Sequence, residues 1–344
     1  MYIKCILIDA IFSMKTLRGI FINSAIGLIL ILIWFQFVDL EEIFSTLSNL
    51  KFLNLIPVFL FMLASPVIRA IRLKIFLKNI KDIALKDLIF LNGVAMMLNF
   101  YIPIRAGEIA KGIYLNTRFG LPLAKSVIWV FLDRFVDFLV VLLLAAVLLL
   151  LIPTALDINI IIFITIIFAT ALVLTYFAIF QITFTRKMIG FLKHLLIFND
   201  IKIYFDRFSI FILESFSILK RHPRDLFLLS LFTVLGYIAD AYIWYFTFIA
   251  LGFPQNFLKM YLGQLLSALT YLIPAAPGYV GSAEASGLLI LSGVFGIGAN
   301  LASAMTVLFH ILSAVFILIF GIVSAFFLKI DLGLILKKAL RKGN

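Results

Sequence analysis

Long apolar runs separated by short polar stretches fill most of the chain. Six of these runs are continuous enough to predict membrane-spanning helices, because each reaches the roughly 20 residues needed to cross the hydrocarbon of a bilayer. They are residues 19–38, 52–71, 126–152, 158–181, 226–251 and 303–328. This pattern predicts an all-α polytopic membrane protein.

Two further apolar regions, 87–104 and 257–299, are interrupted. The second contains YLIPAAPGYVGSAEASG at 271–287, where prolines and glycines follow one another closely. Proline removes a backbone donor and glycine loosens a helix, so neither region reads as a simple span. We expect two broken or re-entrant helical hairpins, which brings the total to about eight membrane segments. A re-entrant loop and a hairpin of two tilted crossings both fit this pattern.

The basic residues fix the expected orientation. If 87–104 dips in and returns from one side, and 257–299 does so from the other, 26 of the 29 lysines and arginines lie on one face and two on the other. The skew places both termini in the cytoplasm. A full crossing by 87–104 would instead put the charged stretch 105–125 outside.

Composition supports a single integral membrane domain over residues 1–344, in the cell membrane. The chain is 64% hydrophobic and only 13% charged, which excludes an ordinary soluble domain. Its net charge of +12 is spread over short loops, a pattern that favours contact with anionic lipids at the cytoplasmic face over nucleic acid. In residues 183–224, basic residues lie among Phe, Leu and Ile at loosely helical spacing. This pattern predicts either cytoplasmic interfacial helices or inward extensions of the neighbouring helices.

The sequence favours neither a metal nor a nucleotide cofactor. Its single cysteine, Cys5, excludes an internal disulfide, and its three histidines lack metal-ligand spacing. No glycine-rich phosphate loop occurs along the chain. We therefore expect no cofactor.

Ionisable residues within spans are costly and mark candidate sites. In FLDRFVDF at 131–138, Asp133, Arg134 and Asp137 share one helix face, and Arg134 can pair with Asp137 three residues on. This group is either a functional site or an ion pair that holds helices together. Asp240 is a lone acid in a span, and either belongs to a site or bonds to a neighbouring helix.

The stretch NFYIPIRAGEIAKG, residues 99–112, crowds polar groups where an apolar run ends. Arg105, Glu108 and Lys111 follow at three-residue steps along one side of a new helix, whose first turn could hold a phosphate. The alternative is a topology-setting loop with snorkelling side chains, which suits Lys111 equally well and is also the expectation for Arg69. Asn92 and Asn99 could supply neutral hydrogen bonds.

The second break carries Pro274, Pro277, Gly278 and Gly281, followed by Glu284. The glutamate is either a proton-binding carboxylate or an N-cap-like group. Two broken segments of opposite approach predict an inverted repeat, typical of transporters whose site lies near the midplane.

Three of these stretches together resemble the lysylphosphatidylglycerol synthase transmembrane domain family, the flippase-like membrane proteins. They are NGVAMMLNFYIPIRAGEIAKG at 92–112, DRFVD at 133–137 and PAAPGYVGSAE at 274–284, and Arg72 also matches. The resemblance covers about 19–328. The positions that it carries over besides Arg72 are Asn99, Arg105, Glu108, Arg134, Asp137, Pro274, Gly278 and Glu284.

The resemblance implies a membrane-embedded lipid-handling domain. In bifunctional members this domain moves an aminoacylated phospholipid between leaflets, while a separate soluble domain makes the lipid; we expect no synthase domain in these residues. Asp133 stands where a glutamate is common, Tyr279 replaces a frequent second glycine, and His310 lies where an arginine is often found. The histidine in place of an arginine puts in doubt whether this protein binds the same headgroup as those family members.

We therefore expect a flippase-like protein that translocates a phospholipid or other lipid-linked headgroup, rather than an enzyme. The alternatives are an integral-membrane transferase acting on a lipid-linked substrate, and a scaffold for a separate lipid-modifying enzyme. The lipid, the direction, the coupling ion and the oligomeric state stay open. The expected headgroup or coupling-ion residues are Arg72, Asn99, Arg105, Glu108, Asp133, Arg134, Asp137, Asp240, Pro274, Gly278 and Glu284.

Overall fold

The regular elements of the computed structural model are all helical over the residues that it describes. These are residues 14–330 except 79–80, 103–105, 122, 196–201, 203–204, 207–208, 211–212, 214–222 and 271–275. The predicted all-α polytopic class is confirmed. The helices are α1 Met14–Trp34, α2 Leu40–Ser48, α3 Ile56–Leu77, α4 Leu85–Tyr101, α5 Ala106–Phe119, α6 Leu123–Leu151, α7 Ile158–Phe180, α8 Ile182–Leu195, α9 Pro223–Ala250, α10 Phe257–Thr270, α11 Ser282–Leu288 and α12 Ala299–Phe327.

Five stretches of the described chain are long and apolar enough to cross a membrane. They are Phe52–Leu77, Leu132–Leu151, Ile158–Phe177, Arg224–Ala250 and Ala299–Phe327. The first predicted run, 19–38, corresponds to α1, which is shifted toward the N-terminus and ends at Trp34. The chain turns there because the Asp39 side chain accepts from the backbone N–H groups of Glu41 and Glu42 and so begins α2.

The centre of the bundle is an antiparallel pair formed by α3 and α9. Val58 near the start of α3 packs in one cluster with Ala250 at the end of α9. At the opposite end, Phe76 of α3 packs with Leu229 of α9 and with Leu132 of α6. The largest apolar cluster then joins α6, α9, α10 and α12 with residues 290–297 of the second interrupted region.

The first interrupted region is a hairpin of two short helices, α4 and α5. Leu88 near the start of α4 packs with Leu115 near the end of α5, so the helices run antiparallel. At the closed end, the Gly107 N–H donates to the Asn99 side-chain oxygen at 2.8 Å. The predicted break at Pro103 and the candidate residue Arg105 lie outside the described residues.

This hairpin reaches only part of the way along α12. A side chain on Gly93 would meet Ser324, and one on Gly321 would meet Met97, so α4 runs antiparallel to the second half of α12. At the tip, the Tyr101 hydroxyl donates to the Ala314 carbonyl at 3.0 Å. The hairpin therefore enters beside the C-terminal end of α12 and returns to it.

The second interrupted region approaches from the other end of the bundle. Helix α10 leads to residues 271–275, which lie outside the described residues together with the candidate Pro274. The chain then makes a short 3₁₀ turn at Pro277–Tyr279, forms α11, and continues as a π-helical turn over Leu289–Val294. Gly278, Tyr279 and Gly281 have positive φ angles, so the proline-glycine break is a sharp change of direction.

The tips of the two hairpins meet beside the middle of α12. The Phe100 ring of the first hairpin lies 5.8 Å from the Tyr279 ring of the second and 5.9 Å from the His310 ring of α12. The opposed approach expected from the two breaks is therefore present in the fold. The inverted repeat itself stays a prediction.

The stretch 183–224 begins as a helix of its own. The chain leaves helical geometry at Gln181, and α8 starts at Ile182. This turn favours a separate helix over a simple extension of α7. Most of the stretch after Leu195 lies outside the described residues.

The close contact inside the first hairpin yields a stability prediction. A Cβ on Gly107 would lie 2.0 Å from the Ala95 carbonyl oxygen, so Gly107→Ala must push α5 away from α4. We expect a marked loss of monodisperse, folded protein in detergent, measured by size-exclusion chromatography and thermal unfolding.

The matched control is Gly190→Ala in α8, where a Cβ meets nothing within 4 Å. Alanine favours a helix over glycine by about 0.5–1 kcal/mol, so this variant should be as stable as the parent or slightly more stable. Equal yields of the two variants would show that the hairpin is not closed at Gly107.

Candidate functional site

Eight charged side chains from four helices form one connected group, which we call the charged cluster. It combines four cations and four anions among the described residues, so its formal charge is zero. The members are Arg69 and Arg72 of α3, Glu108 and Lys111 of α5, Asp133, Arg134 and Asp137 of α6, and Asp240 of α9.

Arg72 is the most buried member, with only 2% of its surface exposed. Its guanidinium lies 2.8 Å from Asp133 and 2.5 Å from Asp137, and it also donates to the Thr233 hydroxyl at 2.6 Å. One side chain of α3 thereby ties α6 and α9 together. Such pairing is required, because a charge buried in apolar surroundings without a partner is strongly destabilising.

Arg134 differs from Arg72 in both distance and exposure. Its guanidinium lies 3.2 Å from Asp133, 3.5 Å from Glu108 and 3.7 Å from Asp137. Its side chain is 34% exposed. The predicted pair with Asp137 is therefore present, but Arg72 is the closer partner of that aspartate.

The first hairpin contributes Glu108, Lys111 and Asn99. Lys111 lies 3.6 Å from Glu108, and the Asn99 amide donates to Glu108 at 3.4 Å. Lys111 is 7% exposed, so the alternative of a snorkelling topology anchor is wrong for this residue. Asn92 lies nearer the start of α4 than Asn99, and its side-chain amide donates to the Pro66 carbonyl at 3.4 Å.

Arg69 and Asp240 form the far end of the charged cluster, with 2.6 Å between their charged groups. The Arg69 guanidinium also lies 5.5 Å from the centre of the Tyr237 ring, whose hydroxyl donates to Asp137 at 3.4 Å. The snorkelling role expected for Arg69 is wrong. Of the two alternatives for Asp240, the bond to a neighbouring helix is present, and a role in a site stays a prediction. Helical spacing could have placed Arg69 on the same face of α3 as Ser65 and Arg72, but it does not identify Asp240 as the partner.

A second polar group, which we call the histidine pair, consists of His310 and Glu284. The His310 Nδ1 lies 2.5 Å from a Glu284 carboxylate oxygen, and its Nε2 lies 2.6 Å from the Gly278 carbonyl oxygen. The other Glu284 oxygen accepts from the Gly281 N–H at 2.7 Å. Glu284 thus has the N-cap-like role and, in addition, an ionisable partner that the sequence pattern did not assign.

The two polar groups lie on either side of the tip of α4. Asn99 bonds to Glu108 of the charged cluster, whereas the next residue, Phe100, packs against His310 and Tyr279. In the described part of the chain, no hydrogen bond or ion pair joins the charged cluster to the histidine pair. The sequence-predicted candidates that the structure describes therefore fall into two separate places.

The described residues contain no group of three or more His, Cys, Asp or Glu side chains arranged to hold a metal ion. The acids of the charged cluster face arginines and a lysine instead. Its geometry suits groups that can exchange ion-pair partners with a charged ligand.

Long apolar helices, two opposed hairpins and buried charges define an integral, multi-pass membrane protein. The chain belongs to the lysylphosphatidylglycerol synthase TM region family, whose model matches residues 20–321. No curated protein and no solved structure matched the chain.

The difference in burial between Arg72 and Lys74, both in α3, yields a stability prediction. Arg72→Met leaves Asp133 and Asp137 without their closest partner, and losing one member of a buried ion pair costs about 3–5 kcal/mol. We expect a large drop in the unfolding temperature in detergent.

Lys74→Met is the matched control, two residues along the same helix. Lys74 is 41% exposed and lies 3.5 Å from an 87% exposed Asp82, so its loss should cost no more than about 1 kcal/mol. An Arg72→Met protein as stable as the Lys74→Met protein would contradict a structural role for Arg72.

Proposed function

We propose that this protein binds the headgroup of a phospholipid or other lipid-linked substrate at the charged cluster and transfers it between leaflets. Membership of the lysylphosphatidylglycerol synthase TM region family supports a lipid-handling role. The activity belongs in the cell membrane, where the basic loops would contact anionic lipids.

The observation that carries the proposal is the difference between Arg72 and Arg134. Arg72 is almost fully buried and held at 2.5–2.8 Å by two aspartates, so it serves the fold. Arg134 is one-third exposed and shares three acids at 3.2–3.7 Å. A guanidinium held this loosely can form bidentate hydrogen bonds with a phosphate and give up its protein partners in exchange.

The charge balance of the cluster favours a headgroup that carries both signs. Four cations face four anions, so a phosphate alone would leave the bound state with excess negative charge. A headgroup with a phosphate and an amine restores the balance. The phosphate would pair with Arg134 or Arg69, and the amine with Glu108 or Asp240, which are 16% and 18% exposed.

The opposed hairpins support transfer rather than simple anchoring. Each covers only part of the bundle, and such discontinuous segments line the substrate sites of many transporters. The tip of α4 lies between the charged cluster and the second hairpin. A rearrangement of one hairpin against the other would change which leaflet reaches the cluster.

The function is testable in proteoliposomes that contain a fluorescent phosphatidylethanolamine, whose headgroup carries a phosphate and an amine. Arg134→Gln removes the exposed cation and its charge-assisted hydrogen bonds, which contribute about 1.5–3 kcal/mol. We expect leaflet transfer, measured by chemical quenching of the outer leaflet, to fall by about 10- to 100-fold.

Arg118→Gln is the control, because Arg118 is an exposed arginine at the end of α5, outside the charged cluster. It should transfer lipid at the parent rate. Equal transfer by both variants would contradict headgroup binding at Arg134, and a chemically altered lipid product would instead favour a transferase. A fluorescent phosphatidylglycerol, which has a phosphate but no amine, should be transferred more slowly than phosphatidylethanolamine.

A further inference from the structure

His310 lies near the middle of α12 and contacts two residues of the second hairpin. Its two ring nitrogens contact the Glu284 carboxylate at 2.5 Å and the Gly278 carbonyl at 2.6 Å. The side chains of His310 and Glu284 are 14% and 9% exposed. The same glutamate also closes the turn through the Gly281 N–H. One imidazole therefore holds both ends of the segment that forms the hairpin tip.

These contacts require a bound proton. A carbonyl oxygen can only accept, so Nε2 of His310 must carry hydrogen. If Glu284 is ionised, Nδ1 must also carry hydrogen, and the ring is an imidazolium. If Nδ1 is bare, Glu284 must be protonated and donate to it. In both cases the pair holds one proton more than a neutral ring beside a carboxylate.

Without that proton, the same contact is repulsive. The Nδ1 lone pair and a carboxylate oxygen would face each other at 2.5 Å, and the pair would change from neutral to a net charge of −1. A lone charge among apolar helices is unfavourable, so Glu284 has to move away from His310 or find another partner. Losing the proton therefore releases the hairpin tip from α12.

No competing charge contacts the pair among the described residues. On the elements packed against the pair, Tyr101 of α4 bonds to Ala314, and Tyr279 packs against Phe100. Tyr237 and Asp240 of α9 contact Asp137 and Arg69, and Glu42 of α2 bonds to Asn300 beside Glu41. The remaining charged residues of α4, α9 and α10 lie in the first turns of those helices and make no hydrogen bond or ion pair with His310 or Glu284: Lys86, Asp87, Arg224, Asp225 and Lys259. The described side chains of α1, residues 21–34, include none that ionises. Glu284 and His310 thus face each other's charge alone.

The tip that His310 holds is also in contact with the first hairpin. Tyr279 and His310 both pack against Phe100, and Phe100 follows Asn99, which bonds to Glu108 in the charged cluster. A movement of the tip therefore reaches the proposed headgroup site through two adjacent residues of α4.

We propose that His310 and Glu284 form a proton-binding site, and that its proton is the coupling ion that drives lipid transfer. The coupling to lipid transfer rests on the proposed function, whereas the proton-binding site does not. The loaded state locks the second hairpin against α12, and the unloaded state frees it to rearrange against the first hairpin.

The proton can be counted without any transport assay. His194→Gln/His222→Gln leaves His310 as the sole histidine, so nitrogen NMR of histidine-labelled protein reports one ring, and infrared spectroscopy reports a protonated carboxyl. At neutral pH we expect either an imidazolium or a protonated carboxyl, and Glu284→Gln should abolish whichever is present. A neutral ring beside an ionised carboxylate would overturn the proton site.

The coupling is tested in proteoliposomes with an imposed pH gradient and the fluorescent phosphatidylethanolamine. One pH unit changes the equilibrium of a singly coupled step by up to about tenfold, so the parent protein should accumulate lipid in one leaflet when the gradient is applied. His310→Arg presents a permanent cation to Glu284, and the double variant His310→Gln/Glu284→Gln has no group left that can take up the proton. Both variants should give the same leaflet distribution with and without the gradient.

The outcomes separate the two proposals. Transfer by the parent protein that ignores the gradient would overturn proton coupling and leave the proposed function intact. Absence of transfer under every gradient would overturn the proposed function, while the spectroscopic count still decides whether the proton site exists. A gradient response retained by folded His310→Arg protein would overturn the role of His310.

Discussion

The ion pairs of Arg72 with Asp133 and Asp137 are the contacts on which the rest of the structure depends. A guanidinium that is 2% exposed must keep its partners, because neither lipid nor apolar side chains can replace them. The pairing sets the depth at which α3 meets α6, and the Thr233 hydroxyl fixes α9 at the same level. Arg134, the residue after Asp133, therefore lies on the more exposed side of the charged cluster.

The fold places two kinds of polar chemistry beside the tips of the two hairpins. The charged cluster offers exchangeable ion pairs, and the histidine pair offers a single proton. The tip of α4 lies between them, with Asn99 contacting one group and Phe100 the other. Because each hairpin returns to the end from which it enters, its tip can shift without breaking a full membrane-spanning helix.

The sequence predicts the parts of this architecture that depend on local patterns. Apolar run length predicts the spans, and the proline-glycine breaks together with the lysine and arginine skew predict two hairpins of opposite approach. The 133–137 face was also predictable, since residues three and four apart share a side of a helix. These features need no knowledge of which helices are neighbours.

Which charged side chains pair with one another was not predictable, because the pairs join helices that are distant in sequence. Arg69 looked like a span end, yet it pairs with Asp240, 171 positions away. Lys111 fitted a topology anchor and a site residue equally well, and only the packing of the hairpin shows that it is buried beside Glu108. His310 was notable only as a departure from its family, and its proton-sharing contact with Glu284 depends on the return of the second hairpin.

A cryo-electron microscopy structure of the protein in lipid nanodiscs is the most direct test of headgroup binding at Arg134. We predict density for a lipid headgroup within hydrogen-bonding distance of the Arg134 guanidinium, with its acyl chains leaving the bundle beside the first hairpin. Headgroups confined to the two surfaces of the nanodisc, with Arg134 closed onto Asp133, Asp137 and Glu108, would contradict it.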